Sequence, residues 1–310
     1  MSSPAGIDVL FGTAHAALGD AVARELNGVV LPRSLERTPD REILVRVDER
    51  ARGRRVAIVQ PLQAPGGEHL LELLLLADSC WRLGASGITA VIPYLGYARQ
   101  DRRSRPGEAL GARVLSGALG SAQLDRIVVV DPHNPAVEAG FSFPAELLTA
   151  VPLLAHAARR HIFDDGVIVA PDLGATKLAQ RYAQLLNLPV AIVVKQRLGP
   201  SEVAAEHVVG NVSGRRPVIV DDMISTGGTI AAAADLLLAR GAKPPVVVIA
   251  THGLFAPPAA DRLRALPIAK VITTDSVPPP AETPPHHEAV PLAPLLADAL
   301  RANLPAAAQP

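Results

Sequence analysis

Short runs of β-branched and other apolar residues recur at 56–59, 88–92, 127–130, 166–169, 190–194, 218–220 and 246–249. Longer stretches with helical spacing separate them, among them 69–83, 112–119, 177–186 and 229–239. A strand that is apolar at every position has to be covered on both faces. Alternation of such strands with helices predicts an α/β fold built on a mostly parallel sheet flanked by helices.

The chain also resembles itself. Arg55-Val56-Ala57-Ile58-Val59 leads through Pro65-Gly66-Gly67 into one helix, and Pro217-Val218-Ile219-Val220 leads through Thr226-Gly227-Gly228 into another. Each helix ends in Gly-Ala, at Gly84-Ala85 and Gly241-Ala242, before the next apolar strand. Glycine after a helix supplies the left-handed residue that ends it. The match predicts two related α/β halves divided near Leu148. Beyond 277 the chain is rich in Pro and Ala, with helical spacing at 292–300; His286-His287, set among prolines, is expected as an exposed tail feature.

Composition narrows the function. Thirty basic residues cancel 30 acidic ones, which argues against a long-range electrostatic nucleic-acid binder. Arg99, Arg102, Arg103 and Arg105 form a local basic cluster, but only Tyr94 and Tyr97 lie near it, a thin platform for base stacking. No nucleic-acid partner is expected. A single cysteine, Cys80, rules out an internal disulfide or a multi-cysteine metal site and suits a reducing cytosol. Residues 1–6 lack a basic and then apolar leader, and the apolar run at 70–80 is broken by Glu72 and Asp78. A cytoplasmic chain with no membrane partner is expected.

The most specific segment is Val218-Ile219-Val220-Asp221-Asp222-Met223-Ile224-Ser225-Thr226-Gly227-Gly228-Thr229-Ile230. An apolar strand ends in two carboxylates, and a turn of small residues then opens a helix. Such a turn aims backbone N–H groups and hydroxyls at one point, and the helix dipole adds positive character. It suits a phosphate monoester. Asp221 and Asp222 would repel that phosphate directly, so a sugar diol or a metal-bound hydroxyl is their better partner. No Lys follows the glycines, so this is not the Gly-x-x-x-x-Gly-Lys-Ser/Thr nucleotide loop.

Residues 220–229 resemble the phosphoribosyl diphosphate (PRPP) loop of the type I phosphoribosyltransferase fold, which many transferases and one kinase family share. Four further stretches are similar to signatures of the ribose-phosphate pyrophosphokinase family: the run from Ile88 through Pro93-Tyr94-Leu95-Gly96-Tyr97-Ala98-Arg99-Gln100-Asp101 to Arg103, then Asp131-Pro132-His133, Pro171-Asp172-Leu173-Gly174-Ala175, and Lys195-Gln196-Arg197. The likeness runs from about residue 9 to 300. It implies two tandem phosphoribosyltransferase-like domains, at 1–147 (the nucleotide side) and 148–285 (with the PRPP loop), followed by a C-terminal helix and tail at 286–310.

The resemblance also implies Mg²⁺-dependent transfer of the diphosphoryl group of ATP to the C1 hydroxyl of ribose 5-phosphate, giving PRPP and AMP. Asp221 and Asp222 would then hold the ribose hydroxyls, and Ser225, Thr226, Gly227, Gly228 and Thr229 would cradle the 5-phosphate. Lys195 and Arg197 would stabilise the transferring group; alternate cations on an extended segment face one side, which fits a shared phosphate target. Arg99, Gln100 and Asp101 match ATP contacts, and His133 and Asp172 match a magnesium–ATP site, Asp172 being the harder donor. The family forms homo-oligomers, so a homo-oligomer is expected.

One stretch departs from the pattern. Where the family has Phe-Ser/Pro-Asp-Gly-Glu, this chain has Thr38-Pro39-Asp40-Arg41-Glu42. Asp40 and Glu42 remain as nucleotide contacts. Losing the aromatic ring removes about 1–3 kcal/mol of base stacking, and Arg41 is left to approach base or phosphate, so another nucleoside triphosphate stands beside ATP as substrate. Two other readings stay open. A phosphoribosyltransferase that consumes PRPP explains the loop but leaves the Arg99 cluster and His133 without a role. A non-catalytic regulatory homologue explains Thr38 and Arg41 but not the retention of Lys195, Arg197, His133 and Asp172.

Overall fold

The apolar runs become adjacent parallel strands in a computed structural model that describes residues 6–196 and 205–302. Two units are each described by themselves. The first takes in the described residues up to Thr149, together with Ser276–Pro278 and 292–302; the second takes in Ala150–Asp275 and Pro279–Pro291.

The first unit runs β1 (Ile7–Phe11), α1 (Ala16–Leu26), β2 (Arg33–Arg37), β3 (Ile43–Val47), β4 (Arg55–Val59), α2 (Gly66–Leu83), β5 (Gly87–Ile92), α3 (Gly111–Gly120), β6 (Arg126–Val130) and β7 (Ala145–Leu148). Its main sheet has the order β1-β4-β5-β6-β7, every pair parallel, while β2 and β3 form a separate antiparallel hairpin. Leu73, Leu76, Ala77 and Cys80 repeat at helical spacing along α2 and are fully buried with Ile58 and Ile92 of the sheet. Removing a buried leucine such as Leu73 would cost about 2–5 kcal/mol.

The second unit runs α4 (Val151–Ala158), β8 (Gly166–Ala170), α5 (Thr176–Leu186), β9 (Val190–Gln196), β10 (Ala205–Val209), β11 (Arg216–Ile224), α6 (Gly228–Ala239), β12 (Val246–Gly253), α7 (Ala259–Arg264), β13 (Ile268–Thr274) and β14 (His287–Val290). The sheet order is β10-β9-β8-β11-β12-β13-β14, and only the β9–β10 pair is antiparallel. Ile230, Ala233, Ala234 and Leu237 make the buried seam of α6. This is the spacing of the α2 seam, so the repeat seen in the residues is a repeated β-α-β unit. It extends further: β1-β4-β5-β6-β7 and β8-β11-β12-β13-β14 have the same sequential logic, with an antiparallel strand pair following α1 in the first unit and α5 in the second.

Of residues 286–310, expected as one helix and tail, the described ones, 286–302, divide between the two units. β14 is an edge strand of the second sheet, while α8 (Ala293–Ala302) packs on α1 in the first unit, where the Arg301 guanidinium donates to the Glu25 carbonyl. His287 is accordingly not an exposed tail residue. Its Nε2 lies 2.9 Å from Thr273 Oγ1, and its ring meets Phe255 edge-on at 4.9 Å. Prolines at 278–280 and 284–285 hide this short strand in the sequence, because they flank it without entering it.

Candidate functional site

Ligands of parallel α/β sheets collect at the carboxyl ends of the strands, and the expected site residues follow that rule in each unit except Asp40, Arg41 and Glu42, which lie between β2 and β3 of the separate hairpin. In the second, Asp172 follows β8, Lys195 lies at the end of β9, and Asp221 and Asp222 lie near the end of β11, three neighbouring strands. Lys195 is paired in register with Glu206 of β10. Arg197 falls outside the described residues.

β11 is central, with β8 on one side and β12 on the other. Its apolar half, Pro217 to Val220, is buried, and the next two positions carry the acids. Asp221 accepts the Asp222 N–H at 2.9 Å through Oδ1. Burial pushes the Asp221 carboxyl well above the usual range, and the like charges of Asp222 and Asp172 push the same way. The three acids therefore form one zone of crowded negative charge. Asp172 uses Oδ1 to accept the Ala175 N–H at 3.1 Å, which closes the turn into α5.

The turn after β11 holds Ser225, Thr226 and Gly227 ahead of α6. Gly227, the residue before the helix, has φ 72°, a left-handed conformation that only glycine adopts without strain. No side chain caps α6, so its first N–H groups remain available to a ligand. Arg262 of α7 donates through Nη1 to the Thr226 carbonyl at 3.0 Å. Sequence reasoning missed this contact, since nothing local marks a helical arginine as the brace of a loop 36 residues away.

The first unit gathers a second group. The β5–α3 connection carries Arg99, Gln100 and Asp101, and the loop after β6 carries His133. A positive-φ residue stands two positions before Arg99 and two before His133, at Tyr97 (φ 61°) and Asp131 (φ 36°). The Gln100 N–H closes a turn on the Tyr97 carbonyl at 2.9 Å, and the Gln100 carbonyl accepts the Ala112 N–H at the start of α3. Gly111 permits this, because a β-carbon there would stand 2.5 Å from the Gln100 side-chain oxygen. Asn134 donates from Nδ2 to Asp101 Oδ2 at 2.7 Å. That bond, ahead of the charges of His133 and Arg102, holds the Asp101 carboxyl below its ordinary value. Arg99, Gln100 and His133 are exposed.

Asp40, Arg41 and Glu42 form the exposed tip between β2 and β3. Arg41 has φ 72°, so a side chain occupies a backbone position suited to glycine. Its N–H donates to the Thr38 carbonyl at 2.8 Å, and the Thr38 hydroxyl binds the Asp40 carboxylate. An ion pair of Arg37 with Glu68 ties the hairpin to α2, and Arg41 lines an open cleft with Ile43 and Leu71. Among the described residues, no hydrogen bond or ion pair joins this tip to the loop at 99–101.

Among the described residues no three His, Cys, Asp or Glu side chains close around a metal position, and no helix is long and apolar enough to cross a membrane. A hard dication does not need a closed protein cage when it is shared with phosphates, since one or two carboxylates suffice. The crowded charge of Asp172, Asp221 and Asp222 fits such an ion.

A doubled β-α-β framework, with acids and an uncapped glycine turn at the carboxyl end of its central strand, defines a phosphoribosyltransferase-type protein, and residues 146–276 match the model of the phosphoribosyl transferase domain. Residues 7–122 match the N-terminal domain of ribose phosphate pyrophosphokinase. The ribose-phosphate pyrophosphokinase of Aquifex aeolicus (strain VF5) is 37% identical over 298 residues, 96% of this chain and 95% of that protein. That of Corynebacterium efficiens is 39% identical over 290 residues, 92% of this chain and 89% of that protein. The crystal structure of phosphoribosylpyrophosphate synthetase from Mycobacterium smegmatis matches with a TM-score of 0.90 at 37% identity, covering 96% of this chain and 98% of that one. The chain belongs to the ribose-phosphate pyrophosphokinase family of enzymes.

Proposed function

We propose that the chain transfers the β,γ-diphosphoryl group of ATP to the C1 hydroxyl of ribose 5-phosphate, giving PRPP and AMP. The C1 oxygen attacks the β-phosphorus, the bond from that phosphorus to the α,β-bridging oxygen breaks, and AMP leaves with the oxygen while the hydroxyl proton is released. The nucleophile belongs to the sugar, so the protein's task is alignment and charge neutralisation. The observation that carries the reading is the turn after β11: two acids, then Ser225 to Thr229 opening an uncapped helix that starts from a left-handed Gly227.

In this reading Asp221 and Asp222 bind the ribose hydroxyls, and Ser225, Thr226, Gly227, Gly228 and Thr229 bind the 5-phosphate. Lys195 and Arg197 neutralise the transferring diphosphate. Arg99, Gln100 and Asp101, with Asp40, Arg41 and Glu42, bind the nucleotide. His133 and Asp172 serve the magnesium–ATP site, with Asp172 the harder oxygen donor. Mg²⁺, when bound, would offset charge on the phosphate oxygens. The working protein is a homo-oligomer of the cytoplasm.

The test mixes purified protein with ribose 5-phosphate, Mg²⁺ and each common nucleoside triphosphate in turn. PRPP and the matching monophosphate should appear together. Absence of turnover with every triphosphate sinks the assignment and favours the regulatory reading. Lys195→Ala should lower kcat severely while leaving ribose 5-phosphate binding nearly intact.

A further inference from the structure

We infer that Asn134 is a positioning residue of the nucleotide site, a clamp that holds the loop bearing Arg99 and Gln100 against the loop bearing His133. The amide is oriented by what each end touches. Its Oδ1 accepts the Ala136 N–H at 3.0 Å and so caps the short helical turn at Pro135–Gly140. That leaves only the NH₂ end to face Asp101, which it meets at 2.7 Å. One side chain thus closes its own turn and crosses to a carboxylate 33 residues away.

The crossing matters because of what it spans. The connection from the end of β5 to α3 covers residues 93–110, and Arg99, Gln100 and the arginines that follow it are exposed. Its far end is tied by the Gln100 carbonyl to Ala112. The Asn134–Asp101 bond ties the next residue to the β6 loop, so the segment 99–101 is held from both sides. Ordering a loop before its ligand arrives removes that entropy from the cost of binding. Asp101 in this picture anchors the loop with Oδ2, and its second oxygen remains for a ligand or a neighbouring guanidinium.

The inference rests on the nucleotide assignment above, and Asn134→Asp tests both separately. Aspartate caps a helical turn as well as asparagine does, so the cap survives, but the donor facing Asp101 becomes an acceptor. KM for the nucleotide should rise about tenfold, the scale of one hydrogen bond to a charged group, with KM for ribose 5-phosphate and the melting temperature unchanged. In an Asp101→Asn background, where the donor and acceptor are exchanged, Asn134→Asp should cost much less. A nucleotide KM equal to wild type, or the same loss in both backgrounds, overturns the role. Amide hydrogen exchange at 99–105, read without substrate, should quicken severalfold in Asn134→Asp, and unchanged exchange overturns the clamp. A wild-type protein that turns over no triphosphate removes the nucleotide assignment, while the exchange result still decides the clamp.

Discussion

The Arg262 guanidinium donates to the Thr226 carbonyl at 3.0 Å, so a helix outside the turn after β11 fixes that turn's backbone. The carbonyl it engages lies one residue before the left-handed Gly227, where the chain reverses into α6. Arg262 is exposed and the loop is short, so the bond contributes little to global stability. Its effect falls on the direction of the N–H groups at the start of α6, the groups proposed to bind the 5-phosphate. Arg262→Ala should raise KM for ribose 5-phosphate about threefold to tenfold, the range of one net hydrogen bond, with kcat largely kept and the melting temperature within a degree or two. Steady-state kinetics with ribose 5-phosphate varied at saturating nucleotide measures it.

Gly227→Ala acts on the same turn by another route. A β-carbon there would meet Ala259 and Leu263 at 3.6 Å, ordinary contact, so space is not the obstacle. The obstacle is φ 72°, which costs an alanine about 1–2 kcal/mol. The variant should fold with a lowered melting temperature and lose ribose 5-phosphate affinity more than tenfold, because relieving the strain rotates the N–H groups at the helix start. Calorimetric melting and ligand titration separate the two effects.

How much of this was legible in the residues depends on range. The seams of α2 and α6 were readable because Leu73 and Leu76, like Ile230 and Leu237, recur at the helical period. The β11 turn was readable because acids, hydroxyls and glycines stand consecutively. What escaped is long-range. Glu72 reads as an interruption in an apolar run, yet it is 2% exposed and accepts both the Thr13 N–H and the Gln60 amide. Gln60 and Pro61 occupy the repeat positions of Asp221 and Asp222, so the first unit fills with a structural network the place where the second carries its acids. Asn134 and Arg262 escaped for the same reason: each acts on a partner more than 30 residues away, and neither residue type marks that locally.

Arg41 carries a cost that its removal would show. At φ 72° a non-glycine residue stores about 1 kcal/mol or more of strain, partly offset by the greater freedom glycine gives the unfolded chain. Arg41→Gly should therefore keep or slightly raise the melting temperature, unlike most substitutions to glycine. On the nucleotide-binding role proposed for Arg41, the same change should raise nucleotide KM about fivefold. Unchanged KM for every triphosphate would remove Arg41 from the binding site.

Cys80 gives a probe of the α2 seam. Burial pushes its thiol up to about 12, so the reactive thiolate is scarce at neutral pH as well as inaccessible. A thiol-specific chromogenic disulfide should not label the native protein over hours and should label one equivalent after unfolding in guanidinium. Rapid native labelling would mean that α2 opens from the sheet far more readily than its buried leucines imply.

His287 gives the second sheet a pH dependence of calculable sign. Burial pushes its imidazole below the ordinary value, Lys270 pushes the same way, and Glu288 opposes both. The folded state therefore binds this proton less readily than the unfolded chain does. Stability is complete above the unfolded value near 6.5 and falls as the pH drops through it toward the lowered folded value. His287→Gln removes the titration and keeps a group able to bond Thr273. Melting temperatures recorded from about pH 7.5 to pH 5.5 should fall less steeply in the variant than in the wild type. Arg160, His161, Lys270 and Glu288 remain in both proteins, so the difference between the two slopes isolates His287. Equal slopes would place β14 in water at these pH values, against its pairing with β13.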